Sequence, residues 1–187
     1  MRNMILFLIL ACFTAASAQE ASPYKAEVDM PVLNHIRESY YHAVEYPESV
    51  DILIKYLKDN YSEKIDKYNP IILSYYGCLI GLKGKYESNV YSKVKLVNKG
   101  IEIIDSAAAM FPECFEIGFL RFSFFHFLPD FFNVKDARKN DLEFLVKSLA
   151  KKDYSFVPKG IQSDMVKFIV STDRLSDDTE MKLLRSA

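Results

Sequence analysis

The chain has 187 residues with a formal charge of −1; half of them are apolar and about a quarter charged. That composition folds around a core rather than staying disordered, and the near-neutral balance excludes a nucleic-acid binder that concentrates basic charge on one face. Six glycines and seven prolines beside 14 phenylalanines, 12 tyrosines and no tryptophan favour helices over a turn-rich β-sandwich.

Residues 1–18 read as an export signal. Arg2 supplies the positive start, "MILFLILACFTAA" (Met4 to Ala16) the apolar stretch, and Ala16-Ser17-Ala18 the small-x-small site for cleavage after Ala18. The run is too short for a comfortable membrane span. Residues 19–187 are then expected as a single helical-repeat domain, secreted or periplasmic. The alternative is a lipoprotein anchored at Cys12 of "ILAC", and a membrane is a partner only in that case.

The first predicted helix, Pro31 to Glu45, contains "HIRESYYHAVE". His35, Glu38, His42 and Glu45 share one face and have the side chains to bind a divalent metal. Val32, Leu33, Ile36, Tyr40, Ala43 and Val44 take the opposite arc, so the His/Glu stripe reads as the solvent side and no metal is expected. After Pro47, Val50, Leu53, Ile54, Leu57 and Tyr61 form the next apolar stripe. Asn60-Tyr61-Ser62 is a glycosylation sequon, of use only in a eukaryotic source.

The helix Pro70 to Lys83, "PIILSYYGCLIGLK", is apolar nearly all round, which marks it as buried between neighbours. Gly77 and Gly81 lie on one face of it and predict close approach of another helix backbone. Gly84 is expected to end this helix and Ser88 to cap the next, which reaches Phe111 in about 22 residues, or about 33 Å. "RFSFFHFLPDFF", Arg121 to Phe132, predicts a central aromatic helix that stops at Pro129, with Phe131 and Phe132 folding back as a plug before a helix carrying Val134, Ala137, Leu142, Leu145 and Leu149. Arg121 is costly to bury alone. Asp141 is its expected partner across the turn, with Glu116 and Glu143 as competitors. His126 reads as a core histidine with one ring nitrogen hydrogen-bonded. Cys78 and Cys114 are expected not to bond, because they sit about six residues out of register along parallel helices.

Pro31, Pro70, Pro112 and Pro158 open segments spaced by 39, 42 and 46 residues, with Pro47 and Pro129 inside two of them. Helix pairs at a period near 40 predict an all-α fold, an α-solenoid of about four helical hairpins. "YYGCLIGLKGKY" and the following helix ending "IDSAAAMFPE" resemble a tetratricopeptide-like hairpin, with Gly77 in its first helix, Ala107 or Ala108 in its second, and Pro112 at the repeat boundary. The period is longer here than in that family, and tyrosine stands where it has tryptophan. Residues 115–145 also resemble a poorly characterised group of exported bacterial repeat proteins through Arg121, Leu128-Pro129, Phe131-Phe132 and Asp141-Leu142. That resemblance implies a fold and no activity.

No phosphate-binding glycine loop, nucleophile elbow or Cys-x-x-Cys stands in the sequence, so neither enzyme activity nor a cofactor is expected. Tyr40, Tyr41, Tyr75, Tyr76 and Arg121 are candidate partner contacts, since tyrosine offers area and a hydroxyl at low entropic cost. The expected function is an exported scaffold binding a peptide or protein on its concave face. The alternative is a small-molecule or lipid carrier with an aromatic-lined apolar pocket.

Overall fold

The computed structural model describes residues 28–61, 64 and 67–186. The leader 1–18 with Cys12 and the cleavage site at Ala18, as well as Ser62 of the sequon, lie outside the described residues. Those described form eight α-helices and no strand: α1 (Met30–Glu45), α2 (Pro47–Asn60), α3 (Pro70–Tyr86), α4 (Val90–Met110), α5 (Phe115–His126), α6 (Lys135–Leu149), α7 (Lys159–Ser171) and α8 (Asp177–Ser186). None of them is long and apolar enough to cross a membrane.

Proline stands at or directly before four of the eight helix starts. Pro31, Pro47 and Pro70 occupy the first turns of α1, α2 and α3, where a missing N–H costs nothing, and Pro158 is the residue before α7. Pro112 and Pro129 stand three and six residues ahead of their helices. Each lies in the loop ahead of its helix, and Pro129 leads into a 3-10 turn at Asp130–Phe132. Asn133 follows in the left-handed region at φ 56°, which asparagine tolerates, and the chain reverses there into α6.

α1 packs on α2, α3 on α4, α5 on α6 and α7 on α8, while α3 also touches α1, α2 and α5. The ends of α1 and α3 meet where Tyr86 donates to the Val44 carbonyl at 2.8 Å. Tyr75 of α3 reaches Glu116 near the start of α5, and Cys78 meets the Leu120 carbonyl further along, so α3 and α5 run in the same direction. Cys78 therefore lies beside Leu120, six residues past Cys114, and the two buried cysteines are not joined in a disulfide.

The helix α3 is the hub. Every residue from Pro70 to Leu79 is buried, and α4 lies directly on its backbone. A Cβ added to Gly100 of α4 would stand 2.8 Å from both the Gly77 carbonyl oxygen and the Gly81 nitrogen. The close approach predicted on α3 is thus made by Gly100 of α4 on the backbone at Gly77 and Gly81, while the Phe124 ring of α5 fills the space over Gly81. Gly84 does not end α3 as expected. It stays helical, and α4 passes close to it as well, with Lys93 O at 3.0 Å from an added Cβ. The helix runs on to Tyr86, and Asn89 rather than Ser88 caps α4, accepting from Ser92 N at 3.0 Å.

Two hydrophobic clusters fill the molecule. The larger spans α1 to α5 and contains Leu33, Ile36, Leu57, Ile72, Leu79, Ile104 and Phe125. The smaller joins Phe122 to Leu142, Leu145 and Leu149 of α6, Val166 and Ile169 of α7 and Leu183 of α8. α5 needs its phenylalanines because it feeds both clusters, with Phe125 turned to one and Phe122 to the other, each without exposed surface. Phe131 does not join them. It is 67% exposed, so only the half-buried Phe132 packs back on the larger cluster, and the expected plug is half formed. The three-residue turn is too short to fold both rings inward.

Candidate functional site

An open cleft of about 200 Å³ lies where the end of α4 meets α5 and α6. Ala108 and Phe111 come from α4 and the turn after it, followed by Pro112. Ile117, Gly118 and Arg121 share one face of α5, and Asn140, Asp141 and Phe144 share the facing side of α6. Gly118 sets the width, since an added Cβ would stand 3.0 Å from the Phe144 ring.

Arg121 is the cleft's charged floor. Its Nε donates to Asp141 Oδ2 at 2.8 Å and its Nη2 to Asp141 Oδ1 at 2.6 Å, a two-pronged pair between α5 and α6. Its Nη1 donates to Asp105 Oδ1 of α4 at 3.3 Å. Asp141 is buried, Arg121 is one-fifth exposed, and Asp105 is nearly half exposed. One guanidinium therefore serves two carboxylates. Burial raises the pKa of both Asp105 and Asp141 above the usual carboxylate value, and the single Arg121 only partly opposes this. For Asp141 the charge of Asp105 pushes further upward. The cluster of Arg121, Asp141 and Asp105 thus holds two carboxylates for one guanidinium; Arg121 and Asp141 line the cleft, and Asp105 reaches it only through Arg121.

The sequence places Arg121 and Asp141 together correctly, and Pro112 lines the same cleft. The competitors are placed elsewhere. Glu143 is exposed, and Glu116 belongs to a different arginine. Arg37 Nε and Nη2 donate to the two Glu116 oxygens at 2.7 Å each, and Tyr75 donates its hydroxyl to Glu116 Oε1 at 2.6 Å. Asn34 Oδ1 and the Phe156 carbonyl accept the remaining Arg37 bonds, and the Phe156 ring lies 5.4 Å from the guanidinium carbon. This sealed knot joins α1, α3, α5 and the loop before α7. Sequence reasoning missed it, although one signal was present. Arg37 stands four residues after Leu33 and three before Tyr40, in the middle of the apolar arc of α1.

The candidate tyrosines divide. Tyr41 is 76% exposed, but Tyr75 and Tyr76 are buried and Tyr40 packs edge-on to Tyr75 at 5.3 Å. Tyr75 and Tyr76 are core aromatics of α3 and offer no surface to a partner, while Tyr40 is half-buried against the same core. Burial lifts the Tyr40 and Tyr75 hydroxyls well above the ordinary tyrosine range, and it pushes the Cys78 thiol up to about 12, so that thiol stays protonated and unreactive. His35, Glu38, His42 and Glu45 all face solvent. His42 Nδ1 is 3.0 Å from Ser49 Oγ, and His35 packs on Tyr56. Among the described residues no group of three or more His, Cys, Asp or Glu side chains is arranged to hold a metal ion. His126 sits at a rim rather than in a core, its Nδ1 accepting from Arg174 Nε at 3.0 Å.

No protein-family model matches the chain, and neither a curated protein nor a solved structure is significantly similar to it.

Proposed function

We propose that this chain is an exported scaffold of four helical hairpins, a short tetratricopeptide-like α-solenoid, which binds a peptide or protein partner. Its cleft between α4, α5 and α6 receives one cationic side chain of that partner. The observation that carries this reading is the unbalanced cluster at the cleft, in which Asp141 on the lining and Asp105 beyond it share Arg121. A lysine or arginine entering beside the half-exposed Asp105 supplies the missing charge, while Phe111 and Phe144 line its methylene stem. The size agrees. About 200 Å³ lies below the roughly 300–1,000 Å³ of small-molecule pockets and suits a single long side chain. The array itself is supported by the pairing of consecutive helices and by the contacts Val44–Tyr86, Cys78–Leu120 and His126–Arg174, which join neighbouring pairs at separations near the period of the prolines.

The carrier reading draws less support. The interior aromatics pack on one another and on glycines. Tyr40 meets Tyr75, Phe122 meets Phe168, and the Phe124 ring fills the space over Gly81. A photoreactive amino acid at Asn140, on the cleft wall, tests the choice in the native compartment. Peptide adducts centred on a lysine or arginine, reduced by Asp105→Asn, are expected. Adducts confined to lipids would overturn the scaffold reading in favour of the carrier, and peptide adducts indifferent to Asp105→Asn would remove the role of the cleft.

A further inference from the structure

We propose that the C-terminal end of α5 is a second binding surface, of opposite charge to the cleft, which seats a carboxylate of an acidic, aromatic-flanked peptide segment between Arg138 and Arg174. Arg138 is buried at 7% exposure, and its Nη1 donates to the Phe125 carbonyl at 3.1 Å. Its nearest carboxylate, Asp130, is 3.8 Å away and 85% exposed, at the outer limit of an ion pair. Arg174 spends its Nε on His126 Nδ1 at 3.0 Å. That ring nitrogen is an acceptor, so His126 is neutral. Burial and the two arginines both hold its pKa below the ordinary histidine value. Arg174 feels the charges of both Arg138 and Asp130, so two guanidiniums share one loosely held carboxylate. Capping of the α5 carbonyls accounts for Arg138 but not for Arg174, whose Nε bonds an imidazole.

Apolar surface adjoins this charge. Phe127 is 72% exposed and Phe131 67%. Both rings are held in place, Phe127 edge-on to His126 at 4.8 Å and Phe131 against Phe132 at 4.3 Å. Fixed aromatics beside arginine are the composition of a partner interface. The guanidinium fork selects a carboxylate, and rings beside it select an apolar neighbour. An anionic lipid surface fits less well, because two cations on a chain of net charge −1 give it weak attraction.

The isotope-labelled protein, titrated with a short peptide alternating glutamate and phenylalanine and followed by amide NMR, tests this. Shifts should centre on residues 126–131, Arg138 and Arg174, and the glutamine version of the peptide should bind about tenfold or more weakly. Arg174→Ala and Phe131→Ala, both on exposed side chains, should weaken binding as strongly while leaving the rest of the spectrum in place. Asp105→Asn in the cleft should leave it unchanged, so that the two surfaces stand or fall separately. Equal binding of the glutamine peptide, shifts centred elsewhere, or a response only to phosphatidylserine vesicles would overturn the proposal.

Discussion

Two arginine–carboxylate pairs of the described residues, Arg37–Glu116 and Arg121–Asp141, share the same two-pronged geometry and differ in what surrounds them. At Arg37 and Glu116 the charges balance one to one and both side chains are buried, with every bond made inside the protein. At Arg121 the balance is one to two, one carboxylate is half in water, and a cleft opens beside it. A balanced, sealed pair fixes where three helices meet and has nothing left to offer a ligand. An unbalanced pair at a cleft holds two helices together and keeps an unmet demand for charge. The difference separates a structural ion pair from a candidate binding one.

The largest expected effect breaks the sealed site. Glu116→Ala strands the Arg37 guanidinium and the Tyr75 hydroxyl and should cost about 3–5 kcal/mol in urea unfolding. Replacing Arg37 and Glu116 together with methionine and leucine should cost much less. A Glu116→Ala loss below about 1 kcal/mol would mean that water reaches Arg37, and the contrast between the sites would collapse.

Asp141→Ala should cost less, about 1.5–3 kcal/mol, because Arg121 keeps Asp105 as a partner. The double-mutant cycle of Arg121 and Asp141 should still show coupling above about 0.5 kcal/mol. Asp141→Ala equal to or worse than Glu116→Ala would show that Asp105 does not act as a reserve partner.

The smallest effect has the opposite sign. The pKa values of Asp105 and Asp141 are raised in the folded protein, so the native state binds more protons than the unfolded chain between the usual carboxylate value and their raised values. Their contribution to stability is full below the usual carboxylate value and is lost as pH rises through the raised ones. Asp105→Asn removes part of the excess negative charge. It should raise Tm slightly at neutral pH and flatten the acid-side slope. A lower Tm for Asp105→Asn at neutral pH would show that the floor is already balanced and would weaken the case for a cationic ligand.

The Arg121–Asp141 pair was legible because both residues flank one turn and the distance across a helical hairpin can be counted from Pro129. Asp105 was not, because it arrives from α4 through the packing of that helix on α5. Arg37 and Glu116 are 79 residues apart and meet only because α1, α3 and α5 pack together. The tyrosines were misplaced for a different reason. Tyr75 and Tyr76 lie on a helix whose all-round apolar sequence already marks it as buried, and the general preference of tyrosine for interfaces was set above that signal.

The helices follow from short stretches of sequence. Proline at three helix starts, the apolar stripes and the glycine face of α3 are local, and each acts through backbone geometry or the helical period within a few residues. Tertiary structure alone decided which charges are sealed and which are open. The cost of a charge depends on the dielectric around it and on partners from distant helices. The same contacts decided that Phe122 is fully buried while Phe127, five residues on in the same aromatic run, stands in water.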